Sequence, residues 1–244
     1  MKQARDLQLR WLTDHLSHLE KTRIAINNRL MAIRAGGELP LPELIDQQAF
    51  MDVVMAEEKR ATKRLETAMQ DHPYGPFVAN VPGLGYKTIG RLVGIVGDPY
   101  WHPEHDRPRT VSELWAYCGL NPTAPPAMRG MTQQDARARG NRQARAMLYV
   151  ISSVVIRYDN VYREVYDKRR AHTIERIHVT NCRNTIVPRA HAPAGSNGCA
   201  TTAHPEWGAT GSPWRKGHQH SDGLRVVAKT LLKDLWLYGR RQDT

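Results

Sequence analysis

Leu9, Leu12, Leu16, Leu19, Ile26, Leu30 and Ile33 fall at alternating intervals of three and four, with Arg23 at the one polar position of the seam. Such spacing, held this long, belongs to a helix that packs against another helix. Gly36-Gly37 ends it, and Pro40 and Pro42 delay any restart. A second pattern follows at Leu44, Met51, Val54, Glu58, Ala61, Leu65 and Ala68. Two long helices across a short turn predict an antiparallel hairpin over residues 1–71. A buried unpaired charge is expensive, so Arg23 and Glu58 either meet or open the seam to water. The hairpin serves as an internal spacer or as an arm that joins subunits, and the second role predicts a homo-oligomer through residues 8–70. Asp71-His72-Pro73 and Tyr74-Gly75-Pro76 break the helix and set the boundary of a second domain, 76–244.

At 244 residues and 41% apolar, the chain is long enough to bury a real core. Its charge is unevenly spread. Residues 1–75 hold 11 Lys+Arg against 11 Asp+Glu, residues 76–180 hold 15 against 9, and residues 181–244 hold 9 against 4. The whole excess of +11 therefore lies after residue 75. A one-sided excess suits a polyanion, since neutralising phosphates releases condensed counterions, and it also suits plain solubility. Cys118, Cys182 and Cys199 are too few for a disulfide framework and fit a reducing interior. The N-terminus is charged from Lys2 and no apolar run approaches a membrane span, so a cytoplasmic protein without membrane contact is expected.

Val81-Pro82-Gly83-Leu84-Gly85 lies between a short apolar helical turn from Phe77 and a helix with Ile89, Leu92 and Val93 on one side. Gly83 and Gly85 permit backbone conformations closed to other residues, and Leu84 fills the gap between the helices. The free amides at the start of the second helix, with Lys87 beside them, make an anion site. The string reads as a helix-hairpin-helix that grips phosphate, or as an ordinary connector. A Walker loop is excluded by the missing Gly-Lys-Ser/Thr ending, and no nucleotide cofactor is expected.

Thr110-x-x-Glu113 caps a short helix carrying Leu114, Trp115, Tyr117 and Cys118, closed by Gly119. Between Arg129 and Arg145 stand five arginines (Arg129, Arg137, Arg139, Arg142 and Arg145) and one acid, Asp135. Most precede a helix with Ala144, Met147, Leu148, Ile151 and Val155 on its apolar face. Arginines gathered at a helix start oppose the helix dipole unless an anion is present. The fold class read from these patterns is all-α, a long antiparallel hairpin followed by a basic helical domain. Gly83, Gly85, Lys87, Arg129, Arg137, Arg139, Asn141, Arg142 and Arg145 are its candidate nucleic-acid-binding residues.

Val81-Pro-Gly-Leu-Gly85, Gly97-Asp98-Pro99, Leu114-Trp-Ala-Tyr-Cys-Gly-Leu-Asn-Pro122, Arg139-Gly-Asn-Arg142 and Tyr162-x-x-x-Tyr166 follow one another in an order that resembles the C-terminal domain of bacterial insertion-sequence transposases of the DEDD class. The resemblance covers about residues 8–180 and resumes from Gly217-His-Gln-His220 to Trp236. It implies a role in DNA transposition or recombination, with DNA and a structured guide RNA as partners. In that family a ribonuclease-H-like domain with four acidic metal ligands precedes the helical linker, and a serine after Gly-Leu-x-Pro attacks the DNA phosphate. None of the acids before residue 75 has a strand-like context, so no metal site is carried over. Mg2+ is expected only with a separate acidic catalytic domain. Thr123 is the sole hydroxyl between Pro122 and Gly130 and the candidate replacement for the family serine. Tyr162 and Tyr166, spaced i,i+4 on an apolar face, read as packing.

Residues 178–217 interrupt the helical pattern with Pro, Gly, Thr and Ala and read as an irregular insertion. His178, Cys182, His191, Cys199 and His204, with His218 and His220 just beyond, lack the paired spacing of a zinc site. Three functions stay open. The chain is a transposase-like DNA-binding protein of a mobile element, a catalytically inactive nucleic-acid-binding accessory module, or a helical scaffold that binds no nucleic acid.

Overall fold

The computed structural model of the chain describes residues 2–36, 41–102, 105–122, 132–179 and 205–243. The fold is all-α, as the periodicities predict, and strand among the described residues is confined to one short antiparallel ribbon, Trp101–His102 (β1) against Arg107–Pro108 (β2). The chain divides into two compact units. One comprises Met1–Asn80, Leu84–Thr110 and Leu235–Thr244, and the other Val81–Gly83 and Val111–Asp234.

The first unit is built on α1 (Lys2–Gly36) and α2 (Leu41–Gln70). The seam positions are where the spacing places them: Leu9, Leu12, Leu16, Ile26 and Leu30 are buried on α1, and Met51, Val54, Ala61 and Leu65 on α2. The helices run antiparallel, since His72 pairs with Asp6 at one end and Leu30 clusters with Met51 and Val54 towards the other. Arg23 and Glu58 meet, with Arg23 Nε donating to Glu58 Oε2 at 2.6 Å. The charged pair on the apolar seam is thereby satisfied, with the Arg23 side chain still partly open to water.

Helices α3 (Gly75–Ala79) and α4 (Tyr86–Val96) complete the base of the hairpin. Two glycines one turn apart let α4 approach closely. A Cβ at Gly94 would stand 2.5 Å from Thr13 Oγ1 and 2.7 Å from the Leu9 carbonyl, and one at Gly90 would stand 3.2 Å from Met69 Cβ. Ile89, Leu92 and Val93 are then buried without gaps between the backbones. Tyr74, 1% exposed, donates its hydroxyl to Asp98 Oδ1 at 2.8 Å, and burial followed by the Asp98 charge pushes its phenol far above the ordinary value. Gly239 leaves the room this hydroxyl needs, because a Cβ there would lie 2.1 Å from Tyr74 Oη.

In the second unit α5 (Val111–Tyr117), α6 (Gln133–Ala138), α7 (Arg142–Val155), α8 (Val161–His172) and the 216–234 part of α9 (Lys216–Asp243) supply a core that includes Leu114, Leu148, Ile151, Tyr162, Val227 and Leu231. Helices α6, α7 and α8 are each capped by a side chain suited to the position. Thr132 Oγ1 accepts the Asp135 amide, Asn141 Oδ1 accepts those of Gln143 and Ala144, and Asn160 Oδ1 accepts those of Tyr162 and Arg163. The two flanks of the irregular segment pair with each other: the His178 amide donates to Ser212, Gly211 to His178, and Trp214 to Arg176. No helix among the described residues is long and apolar enough to cross a membrane.

Candidate nucleic-acid interface

Gly83 has φ of +87°, and a Cβ there would stand 2.4 Å from the Tyr158 ring, so glycine is required both for conformation and for space. Gly85 differs from the sequence expectation. Its backbone is ordinary extended (φ −106°, ψ 139°), and a Cβ would meet nothing nearer than Thr88 Oγ1 at 3.5 Å. What Gly85 provides is an open approach to the start of α4, not a strained turn. It is the N-cap of α4 and offers no side-chain bond, while its carbonyl takes the amides of Thr88 and Ile89. The amides of Tyr86 and Lys87 have no acceptor among the described residues, which leaves the helix start electropositive.

Lys87 Nζ lies 3.9 Å from Glu20 Oε1, at the limit of an ion pair. Glu20 is held more closely by Arg91, which donates at 2.8 Å and also reaches Ser17 Oγ at 3.1 Å. Glu20 is therefore neutralised by Arg91 and binds Lys87 only loosely, so an incoming anion competes with a weak partner.

In the second unit the Arg139-Gly-Asn-Arg142 motif docks on the end of α5. Gly140 has φ of +72°, and a Cβ there would meet the carbonyl oxygens of Ala116 at 2.3 Å and Tyr117 at 2.6 Å and the amide nitrogen of Gly119 at 2.6 Å. The Asn141 amide donates to the Tyr117 carbonyl at 2.6 Å, and Asn141 Nδ2 to Tyr117 Oη at 3.2 Å. Both side-chain polar atoms of Asn141 are thus engaged in holding the turn and capping α7, so its part in the site is to aim its neighbours. Arg137, Arg142 and Arg145 are exposed and have no acidic partner among the described residues. The Arg145 guanidinium is held below its ordinary value by partial desolvation, then by the like charges of Arg139 and Arg225. Crowded like charge of this kind is relieved by a bound anion.

Helix α9 carries Arg225, Lys229 and Lys233. The Lys229 ammonium sits 5.0 Å over the Trp115 ring, whose Nε1 donates to the Lys229 carbonyl at 3.0 Å. Burial and then the Arg225 charge lower the Lys229 value. Behind this face Asp222, 4% exposed, accepts from Arg169 Nε at 2.5 Å and from Arg225. Burial works to raise the Asp222 carboxyl. The Arg169 hydrogen bond and the Arg225 and Arg169 charges outweigh it and hold the carboxylate below its usual range. This anchor joins residues 53 apart and leaves no periodic trace in the sequence.

Thr123 and Arg129 lie outside the described residues, as do Cys182, His191, Cys199 and His204. His178 and His218 approach each other with ring centroids 5.1 Å apart, and no group of three or more His, Cys, Asp or Glu able to hold a metal occurs among the described residues. Tyr162 is 1% exposed and donates to Asp234 Oδ2 at 3.0 Å, a core position.

No family model matches the chain, and no solved structure matches it. Over 148 residues, 60% of its length, the chain is 25% identical to an uncharacterized 43.6 kDa protein of insertion element IS110 from Streptomyces coelicolor. The match spans 35% of that relative's length, about a third of it. The chain is thus similar, along more than half of its own residues, to part of a protein from a mobile element.

Proposed function

We propose that this chain is the nucleic-acid-binding part of an IS110-type transposase, gripping the phosphate backbone during DNA transposition or recombination. The observation that carries the reading is the Arg139–Arg142 turn. Its glycine and asparagine are used up in docking the turn on α5, and Arg142, with Arg137 and Arg145 on either side of the turn, faces solvent without an acidic partner among the described residues. The similarity to an insertion-element protein supports the same direction. We read the α3–turn–α4 segment as a helix-hairpin-helix, with the free amides of Tyr86 and Lys87 as a second phosphate contact. Such contacts fix register on a duplex and carry no base preference. Strand cleavage needs a nucleophile and its activation; in this reading the activation belongs to a separate acidic domain, and the nucleophile to the loop where Thr123 stands in for the family serine.

The test is equilibrium binding to unrelated duplexes. Lys87→Ala and Arg142→Ala are each expected to weaken all of them by roughly tenfold, a charged hydrogen bond's worth, and to lower the salt slope by about one. Unchanged affinity in both variants would move the interface elsewhere, and loss confined to one sequence would make these residues base readers.

The hairpin carries Ile24, Met31, Ile45, Phe50 and Val53, each at least half exposed, along its outer half. An apolar surface of this extent on a charged hairpin is the surface on which a second copy would assemble. Sedimentation at micromolar concentration should give a dimer, and Ile45→Lys with Val53→Lys should return it to a monomer. A monomeric parent chain leaves the hairpin as a spacer.

A further inference from the structure

Between α7, α8 and the early part of α9 lies an open cleft of about 830 Å³ whose lining includes Tyr149, Arg157, Arg163, Tyr166, Arg170 and His220. It belongs wholly to the second unit and contains none of the candidate residues above. Three guanidiniums and one carboxylate, Asp167, face it. Arg163 donates to Asp167 at 2.6 Å, so those two charges cancel and the charges of Arg157 and Arg170 remain.

These two arginines have donors to spare. Arg157, in the turn after α7, uses only Nε, in a 3.2 Å bond to the Ser153 carbonyl of that helix, and its terminal nitrogens have no partner among the described residues. Arg170 is held by a relay. Its Nη1 donates to Tyr166 Oη at 2.9 Å, and Tyr166 Oη is 2.5 Å from His220 Nδ1. Burial and then the Arg170 charge lower the His220 value. Gly223 makes the arrangement sterically possible, since a Cβ there would stand 2.8 Å from the Tyr166 ring. The relay fixes the Arg170 fork and leaves Nη2 without a partner among the described residues, a pre-oriented donor next to an unneutralised Arg157. Tyr149, 51% exposed, adds an aromatic face to the same cleft.

We propose that this cleft receives one unpaired nucleotide of a nucleic-acid strand, its phosphate on Arg157 and Arg170 and its base stacked on Tyr149. Spare guanidinium donors in a concave, net positive site select a phosphate, and an exposed phenol ring beside them selects a base with its face free. A duplex keeps its base faces covered and has nothing to offer Tyr149. The site is independent of the Arg139–Arg142 turn and of Lys87, so each reading stands or falls on its own residues.

The experiment titrates the full chain into fluorescent oligothymidylate and, separately, into a duplex, with thymidine monophosphate as competitor. Tyr149→Ala is expected to weaken the single strand about tenfold and leave the duplex unchanged, while Tyr149→Phe retains the parent affinity. Arg157→Gln breaks only a bond to the last turn of α7 and should weaken the single strand several-fold, lowering its salt slope by about 0.7. Single-strand affinity unchanged in Tyr149→Ala and Arg157→Gln would overturn the site, as would duplex binding that falls in step with the single strand. Competition by the mononucleotide at concentrations no higher than those of the strand would make the occupant a small molecule and sink the strand assignment. Intact single-strand binding in Lys87→Ala and Arg142→Ala, together with loss in the cleft variants, would uphold the cleft even if the backbone grip proposed above failed.

Discussion

Gly140→Ala lowers the stability of the second unit by about 3–4 kcal/mol, the largest effect expected of any single-methyl change in the described chain. Two costs add. An L side chain at φ +72° pays roughly 1–2 kcal/mol for left-handed backbone. The new Cβ would also fall within 2.6 Å of three backbone atoms, the carbonyls of Ala116 and Tyr117 and the amide of Gly119, none of which can swing aside as a side chain tip would. Relief of that overlap costs roughly another 1–3 kcal/mol and must move the turn away from α5, breaking the 2.6 Å Asn141 bond to Tyr117. Thermal unfolding followed by circular dichroism should therefore shift down by roughly 10 °C. Gly211→Ala is the matched control: its φ is +85° but nothing lies within 4 Å of the added Cβ, so only the conformational part should appear. Equal melting of the two variants would show that the docking of the turn contributes no stability.

The elements that local pattern controls were legible in the sequence. The three-four spacing located the buried residues of α1 and α2, and Arg23 with Glu58 was marked as a pair that had to meet or hydrate because both fall on the same seam. The Arg139-Gly-Asn-Arg142 string was visible as a basic helix start. What the sequence could not separate was the division of labour inside it. Asn141 belongs to the same polar run as its neighbours, and only the position of Tyr117, brought in by the fold, shows that it caps and docks. Tyr74 with Asp98, Arg169 with Asp222 and Tyr166 with His220 are separated by 24, 53 and 54 residues. Periodicity reports which face of a helix is buried, not which distant polar group meets it there. Gly90 and Gly94 did leave a signal, two glycines one turn apart in a helix otherwise rich in branched residues. A helix tolerates such glycines at a cost in propensity, which close packing of Gly94 against Leu9 and Thr13 and of Gly90 against Met69 and Leu65 accounts for.

Duplex affinity should fall by roughly a thousandfold between 50 and 200 mM monovalent salt. The expectation follows from the number of cations assigned to phosphate: Lys87, Arg129, Arg137, Arg139, Arg142 and Arg145. If each displaces condensed counterion from B-form DNA, the slope of log affinity against log salt is about −5, and a fourfold rise in salt multiplies accordingly. The structure gives two reasons for the slope to come out shallower. Glu20 stands 3.9 Å from Lys87 and would partly neutralise it before DNA arrives, and Arg139 already has an interaction of its own. A slope near −4 would point to these two residues. Glu20→Gln then restores the Lys87 contribution and tightens binding, without touching the Arg139–Arg142 turn. Arg91 would lose its 2.8 Å partner in the same variant, so Arg91→Gln in the Glu20→Gln background separates the two cations. A slope indistinguishable from zero across that salt range would mean that the +11 excess is a solubility charge, and the chain would be read as a helical scaffold.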